Sequence, residues 1–178
     1  MPRRAGQISP TTLRAAMSRR GVSVDDIAAH LDISPNTVHS WLDGTRAPSP
    51  PLLVSVARAL GLRPADLTLV SDGEERLHDL RIHAGLLQQE ACEVAGIRQP
   101  QLSKMERGVS APRPDLCDAL ATAYGVTSAR VLDAWTRTRN DRRRQSGAKF
   151  SETHAIFGHA RVAANARRRT TRVLLIRP

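Results

Sequence analysis

The chain has 178 residues, of which 40% are apolar and 25% charged, a globular composition that excludes an extended disordered polymer and leaves room for two small domains. Its only aromatics are Trp41, Tyr124, Trp135, Phe150 and Phe157, so the core must come from Leu, Val, Ile and Ala, which suits helices packed on helices and argues against an all-β fold. The net charge of +10 is not spread evenly: residues 1 to 133 carry 15 Lys and Arg against 15 Asp and Glu, residues 134 to 178 carry 12 against 2, so a neutral body precedes a polycationic end.

From the N-terminus, turn chemistry cuts the chain into short helical stretches. Gly21, Asp32, Gly44, the Pro48 and Pro50 pair and Gly61 are stops, and Ser34 before Pro35 reads as an N-cap with proline at the first helical position. A short linker follows, Thr68 to Glu75, containing Ser71, Asp72 and Gly73. Leu77 and Leu80 then begin an amphipathic turn stopped by Gly85. Gln88 to Ala95 is the next helix, broken by Gly96, and Gln99 to Arg107 the third, ended by Gly108. Beyond Pro112 and Pro114, the residues Leu116, Ala119, Leu120 and Ala123 mark a fourth helix ending at Gly125, and a fifth starts near Ser128 and runs past Trp135.

These two series are one plan written twice. Shifted by 64 residues, Leu13 to Leu67 lies on Leu77 to Val131 without a gap, and 12 of the 55 columns are identical, mostly glycines, prolines and core-type residues. Within each copy the second and third helices have a distinctive spacing. Counting from Gln88, places four, eight, ten, fifteen and eighteen are Ala91, Ala95, Ile97, Leu102 and Met105, with small Cys92 fifth and Gly96 ninth. Counting from Val24, they are Ile27, Leu31, Ile33, Val38 and Trp41, with Ala28 fifth and Asp32 ninth. Helices meeting at a steep angle need a small residue where their backbones approach, and a residue that accepts left-handed φ at the turn; glycine does so freely and aspartate at some cost.

Leu77-His-Asp-Leu-Arg-Ile-His-Ala-Gly85, Gln88-Gln-Glu, Gly96-Ile and Met105-Glu-Arg-Gly108 followed by Ala111-Pro112 resemble the Cro and lambdoid-repressor (xenobiotic-response-element) helix-turn-helix family. Trp41-Leu-Asp-Gly44 and Arg46-Ala-Pro48 are similar to its tryptophan-bearing variant. The resemblance spans roughly residues 11 to 135 and implies an all-α fold of two tandem five-helix lambda-repressor-like domains. The expected organisation is an N-terminal arm at 1–10, a first domain at 11–70, a linker at 71–75, a second domain at 76–137 and a basic extension at 138–178.

The resemblance also implies that the third helix of each copy enters the major groove of duplex DNA. Its outward face in copy two is Arg98, Gln99, Pro100, Ser103, Lys104 and Arg107, with Gln101 half-turned toward a phosphate. In copy one it is Ser34, Pro35, Asn36, His39, Ser40 and Asp43, with Arg46 and the arginines 14, 19 and 20 as further backbone contacts. Gln99 has the chemistry for adenine N6/N7 and Lys104 for guanine O6/N7. Gln88, at the start of helix two, is implied by the resemblance to bond a phosphate, and the helix dipole favours that anion. Copy one has Val24 there, with Asp25 and Asp26 adding negative charge, so it either reads bases on a weak electrostatic footing or serves as an interaction module.

The remaining features favour no other chemistry. Trp41 and Met105 read as core, His30, His78 and His83 as surface histidines, and Cys92 and Cys117 as reduced core thiols, too few and too far apart for a zinc site. No nucleophile–base set, paired-carboxylate motif or phosphate-cradling loop appears, so neither an enzyme nor a cofactor is expected. No apolar run approaches the roughly 20 residues that span a bilayer, and Met1 to Leu13 has no apolar stretch behind its basic residues, which leads to the expectation of a cytoplasmic, nucleoid-associated protein. In the extension, Arg142-Arg-Arg144 and Arg167-Arg-Arg169 flank Ile156, Phe157, Ala160, Ala163 and Ala164 at helical spacing, and Val173 to Ile176 is a short apolar run: a closing helix and a solvated polycation both fit. The expected function is a bacterial, sequence-specific regulator of transcription binding double-stranded DNA, with copy two the main reader. A plasmid or phage DNA-maintenance factor and an antitoxin-like interaction module are the alternatives. A homodimer or protein partner would engage through domain 1 or the extension.

Overall fold

The computed structural model describes residues 7–71 and 73–147. The expectations for Phe150, Ile156, Phe157, Ala160, Ala163, Ala164, Arg167 to Arg169 and Val173 to Ile176 lie outside the described residues. The first copy contains α1 (Pro10–Arg20), α2 (Val24–Leu31), α3 (Pro35–Leu42), α4 (Pro50–Ala59) and α5 (Pro64–Leu67). The second contains α6 (Leu77–His83), α7 (Gln88–Ala95), α8 (Gln99–Glu106), α9 (Pro114–Tyr124) and α10, helical from residue 128 to 147. Among the described residues the only β-type pairing is an isolated antiparallel bridge between Ile8 and Thr68, so the fold is all-α.

The helix starts follow from the residues placed there. Ser34 accepts from the Thr37 N–H at 3.3 Å with Pro35 first in α3, and Ser9 does the same for α1 through Thr12 at 3.2 Å. In α2, Ser23 and Asp26 form a reciprocal capping box: the Asp26 N–H donates to Ser23 Oγ at 3.1 Å and the Ser23 N–H to the carboxylate at 2.8 Å. The Ser23 hydroxyl and amide hold the Asp26 carboxyl below its ordinary range. At the turn between the paired helices Gly96 has φ 63°, and Asp32, with φ 51°, is the one non-glycine residue of positive φ among those described. Gly and Asp thus occupy the left-handed C-cap that the ninth place of the motif demands.

Each copy closes its own apolar core. Leu13, Ile27, Val38, Trp41, Leu53, Val56 and Leu67 meet in the first, and Leu77, Ala91, Leu102, Met105, Leu120, Val131 and Trp135 in the second. Truncating one of these leucines to alanine costs about 2 to 5 kcal/mol, the transfer term plus the cavity left behind. Both cysteines are buried, and burial pushes their thiols above the usual range, which leaves little reactive thiolate.

Two of the expected bounds shift at the edges, and the linker is held at its end. The arm is shorter than residues 1–10, because Ile8 is only 1% exposed within the first core and the Ser9 N–H donates to the Leu67 carbonyl at 2.7 Å. The linker is anchored at its end. Glu75 is fully buried; its carboxylate accepts from Arg130 and from the Gly73 N–H at 2.8 Å, and its carbonyl accepts from Arg137 Nε at 2.9 Å. The second domain also extends past residue 137. Thr138 is buried and its hydroxyl caps the Leu77 N–H at 3.1 Å, while the Arg139 guanidinium stacks 5.4 Å from the Trp135 ring centroid. Both copies belong to one compact unit that runs to Arg139.

Histidine placement also departs from expectation. His30 is exposed, but His78 is largely covered, with Nε2 3.1 Å from the buried Asp79 carboxylate, and the half-buried His83 bonds the Thr68 hydroxyl through Nε2 at 3.1 Å. Burial alone would push Asp79 up. The hydrogen bond and charge of His78, the Arg76 N–H and the charge of His83 outweigh it and hold this carboxyl below its ordinary value.

Candidate nucleic-acid interface

Helices α2 with α3, and α7 with α8, form the two paired units, and each second helix exposes one face. Ser34, Pro35, Asn36, His39, Asp43 and Arg46 are exposed in copy one, and Arg98, Gln99, Pro100, Gln101, Lys104 and Arg107 in copy two. Ser40, expected on that face, is half-buried, and its hydroxyl donates to the Thr37 carbonyl at 2.6 Å, so that proton is spent within the helix. Ser103 is half-buried as well, and its carbonyl accepts from Arg107 Nε at 3.1 Å, which folds Arg107 back along α8.

Beneath the α8 face lies a polar chain that sequence reasoning missed. Arg81 of α6 donates to Glu106 of α8, with Nε to Oε1 at 2.6 Å, and its Nη1 reaches the Leu86 carbonyl at 2.8 Å; the two charged side chains are 11% and 8% exposed. Gln88 Nε2 donates to Glu106 Oε2 at 3.0 Å, and Gln99 Nε2 donates to Gln88 Oε1 at 3.1 Å. The order is chemically forced. An ionised carboxylate only accepts, so Glu106 draws the amide nitrogen of Gln88, which turns the Gln88 oxygen toward Gln99 and makes Gln99 the donor. Gln99 then retains one N–H and its carbonyl oxygen, the donor–acceptor pair that complements adenine N7 and N6. Gln88 retains an N–H for a phosphate oxygen.

Copy one has none of this. A shift of 64 residues places Met17 at Arg81, Leu42 at Glu106, Val24 at Gln88 and Pro35 at Gln99. Met17 and Leu42 are buried in the first core. Arg14, expected at a phosphate, donates to the Leu42 carbonyl at 2.8 Å and lies 3.6 Å from the Asp43 carboxylate. The electrostatic contrast between the copies is smaller than Asp25 and Asp26 suggest, because Glu90 occupies in α7 the place of Asp26 and binds the Leu87 N–H at 2.6 Å. The difference at this helix end is one charge, Asp25 against Gln89.

Comparison with protein families agrees with this geometry. Residues 77–131 match the family model described as Helix-turn-helix, of the xenobiotic-response-element type, and residues 11–69 match a second, described as Helix-turn-helix domain. The chain belongs to the helix-turn-helix family, in two tandem copies. Such domains make this helix-turn-helix protein a DNA-binding protein of the regulator class. No curated protein matches the chain. Among the described residues no helix is long and apolar enough to cross a membrane, and no cluster of His, Cys, Asp or Glu could hold a metal ion.

Proposed function

We propose that the protein is a sequence-specific transcriptional regulator in which the second helix-turn-helix is the main reader of double-stranded DNA. The observation that carries this reading is the chain from Arg81 through Glu106 and Gln88 to Gln99, which fixes the amide of Gln99 on the exposed face of α8 before any DNA arrives. A side chain already held in its reading orientation loses less rotamer freedom on binding, so its contacts contribute more to discrimination. Lys104 and Arg98 on the same exposed face supply cations for guanine edges and phosphates. The basic extension adds affinity without adding sequence information, because arginines that lack a groove-fitting scaffold contact phosphates.

Selection of bound duplexes from a random pool, followed by affinities for the enriched site, tests the proposal. Gln99→Ala and Lys104→Ala are each expected to cost about 1 to 3 kcal/mol against the selected site and less against random DNA. Equal weakening on every sequence would mean that α8 does not read bases. A promoter fusion separates a regulator from a DNA-maintenance factor, since only the former changes transcription when its site is occupied. Copy one lacks that polar network, so its α3 enters the groove as the secondary reader; co-purification of a stoichiometric protein partner would instead support the alternative of an interaction module for that domain.

A further inference from the structure

The two copies are alike, but the surface that joins them is not used twice. In the shift of 64 residues α6 corresponds to α1 and α9 to α4. The joint packs α6 of the second copy onto α4 of the first. Ile82, 6% exposed, projects from α6 into the first copy's core. Gly85 lies so close that a Cβ there would stand 2.9 Å from Val54 Cγ2 and 3.8 Å from the Pro50 carbonyl oxygen. The Thr68–His83 hydrogen bond spans the same joint.

Two-fold symmetry between the copies would require the reciprocal contact, α1 on α9, with Ser18, Arg19 and Gly21 facing Pro114 and Asp118. All five of those residues are exposed, and a Cβ on Gly21 would meet nothing within 4 Å. Leu132, the counterpart of Thr68, is 48% exposed. The joint is therefore heterologous: one face of a copy meets a different face of the other.

This constrains the DNA. Two like domains docked in the same way on one duplex are related either by a two-fold axis across it, giving inverted half-sites, or by a screw along it, giving direct ones. We propose that a single chain reads two half-sites in direct, head-to-tail order, with a spacing fixed by the α4–α6 joint. The proposal rests on the reading that α3 and α8 are both groove-entering helices, and it extends that reading to the architecture of the site. Because the outward residues of α3 and α8 differ at nearly every place, the half-sites differ in sequence as well as sharing one direction.

The test uses the full chain and duplexes carrying the two half-sites recovered by selection, arranged in direct or inverted order, with the number of chains per duplex measured by light scattering. One chain is expected to bind the direct pair on the order of 10²-fold more tightly than either half-site alone. Inserting about five base pairs, roughly half a helical turn, should abolish that gain. Val54→Asp with Ile82→Ser puts at each joint position the residue that the other copy carries there, which suits each domain's own fold. This variant should keep its affinity for the second domain's half-site, lose the gain on the paired site and tolerate the insertion. Equal gain on the inverted pair with one chain bound would overturn the proposal. Protection of a single half-site would also overturn it while leaving α8 as reader intact, whereas failure to prefer any sequence over random DNA would remove the reading on which it rests.

Discussion

Replacing Arg81 and Glu106 by the residues of the other copy, Met and Leu, separates what this pair does for stability from what it does for reading. With side chains 11% and 8% exposed, the pair is of the buried class, in which desolvation offsets most of the Coulomb attraction. Glu106→Ala alone strands the Arg81 guanidinium with little more than the Leu86 carbonyl and should destabilise the domain by about 3 to 5 kcal/mol. The double change Arg81→Met with Glu106→Leu leaves no stranded charge, and the first copy already packs Met17 and Leu42 at the same two places. Precedent for such exchanges runs from neutral to about 1 to 4 kcal/mol stabilising, so the two variants should be far apart in urea denaturation, with the double variant near or above the parent.

Binding should rank them differently. Without Glu106 nothing fixes the amide of Gln88, and Gln99 loses its oriented acceptor, so the double variant should lose about 1 to 3 kcal/mol of discrimination at the base it reads despite its restored stability. A double variant as unstable as Glu106→Ala would refute the desolvation argument, and full retention of discrimination would refute the orienting role of the network.

The turn between the paired helices offers a reciprocal pair of changes. Asp32→Gly should stabilise the first domain by about 0.5 to 1 kcal/mol and Gly96→Asp destabilise the second by a similar amount, both read from denaturant midpoints, since φ is near 60° at each. Asp79, whose folded carboxyl is held below its ordinary value, contributes stability that is present above its unfolded pKa and lost as pH falls through the lower folded value. Asp79→Asn should therefore flatten the stability curve below about pH 4, and a parallel displacement of the curve instead would show that Asp79 acts only through its hydrogen bonds. Truncation after Asn140 should leave the melting of the body unchanged, because Thr138 and Arg139 are retained. It should also reduce the slope of log K against log salt by about 0.9 for each phosphate that the extension no longer neutralises. A lowered melting temperature with an unchanged slope would assign the extension a packing role.

The local signals in the sequence were strong where chemistry acts within a few residues. Ser34 with Pro35, the Gly96 stop and the limits of α7 are set by caps and left-handed turns, and the structure has them where the sequence places them. Long-range polar pairing was illegible because its partners are far apart: Arg81 and Glu106 are separated by 25 residues, and Glu75 and Arg130 by 55. A usable signal for the first lay in the repeat itself, since an Arg and a Glu stand where the other copy has two buried apolar residues. Ile82 carried a similar signal. It falls two residues after Leu80, on the face of α6 turned away from its own core, at a place where the other copy has Ser18. An apolar residue on the wrong face of an amphipathic helix points to a second surface to be covered.

The repeat therefore works as an internal control within the protein. Where the copies agree, in Gly21 and Gly85, Pro48 and Pro112, or the buried Leu13 and Leu77, the shared residue serves the backbone plan and carries no information about DNA. Where they differ at exposed places of α3 and α8, the difference can carry sequence discrimination without disturbing the fold. Differences at places covered in at least one copy form a third class: Met17 against Arg81, Leu42 against Glu106, and Ser18 against Ile82 exchange apolar packing, polar orientation and domain docking for one another on a single scaffold. Fold and reading are thus separable here. Swapping residues between copies together with their partners, as in Arg81→Met with Glu106→Leu, should keep the helix and change only what that helix supports, so a paired swap that unfolds its domain would mark the position as one where the two scaffolds are not equivalent.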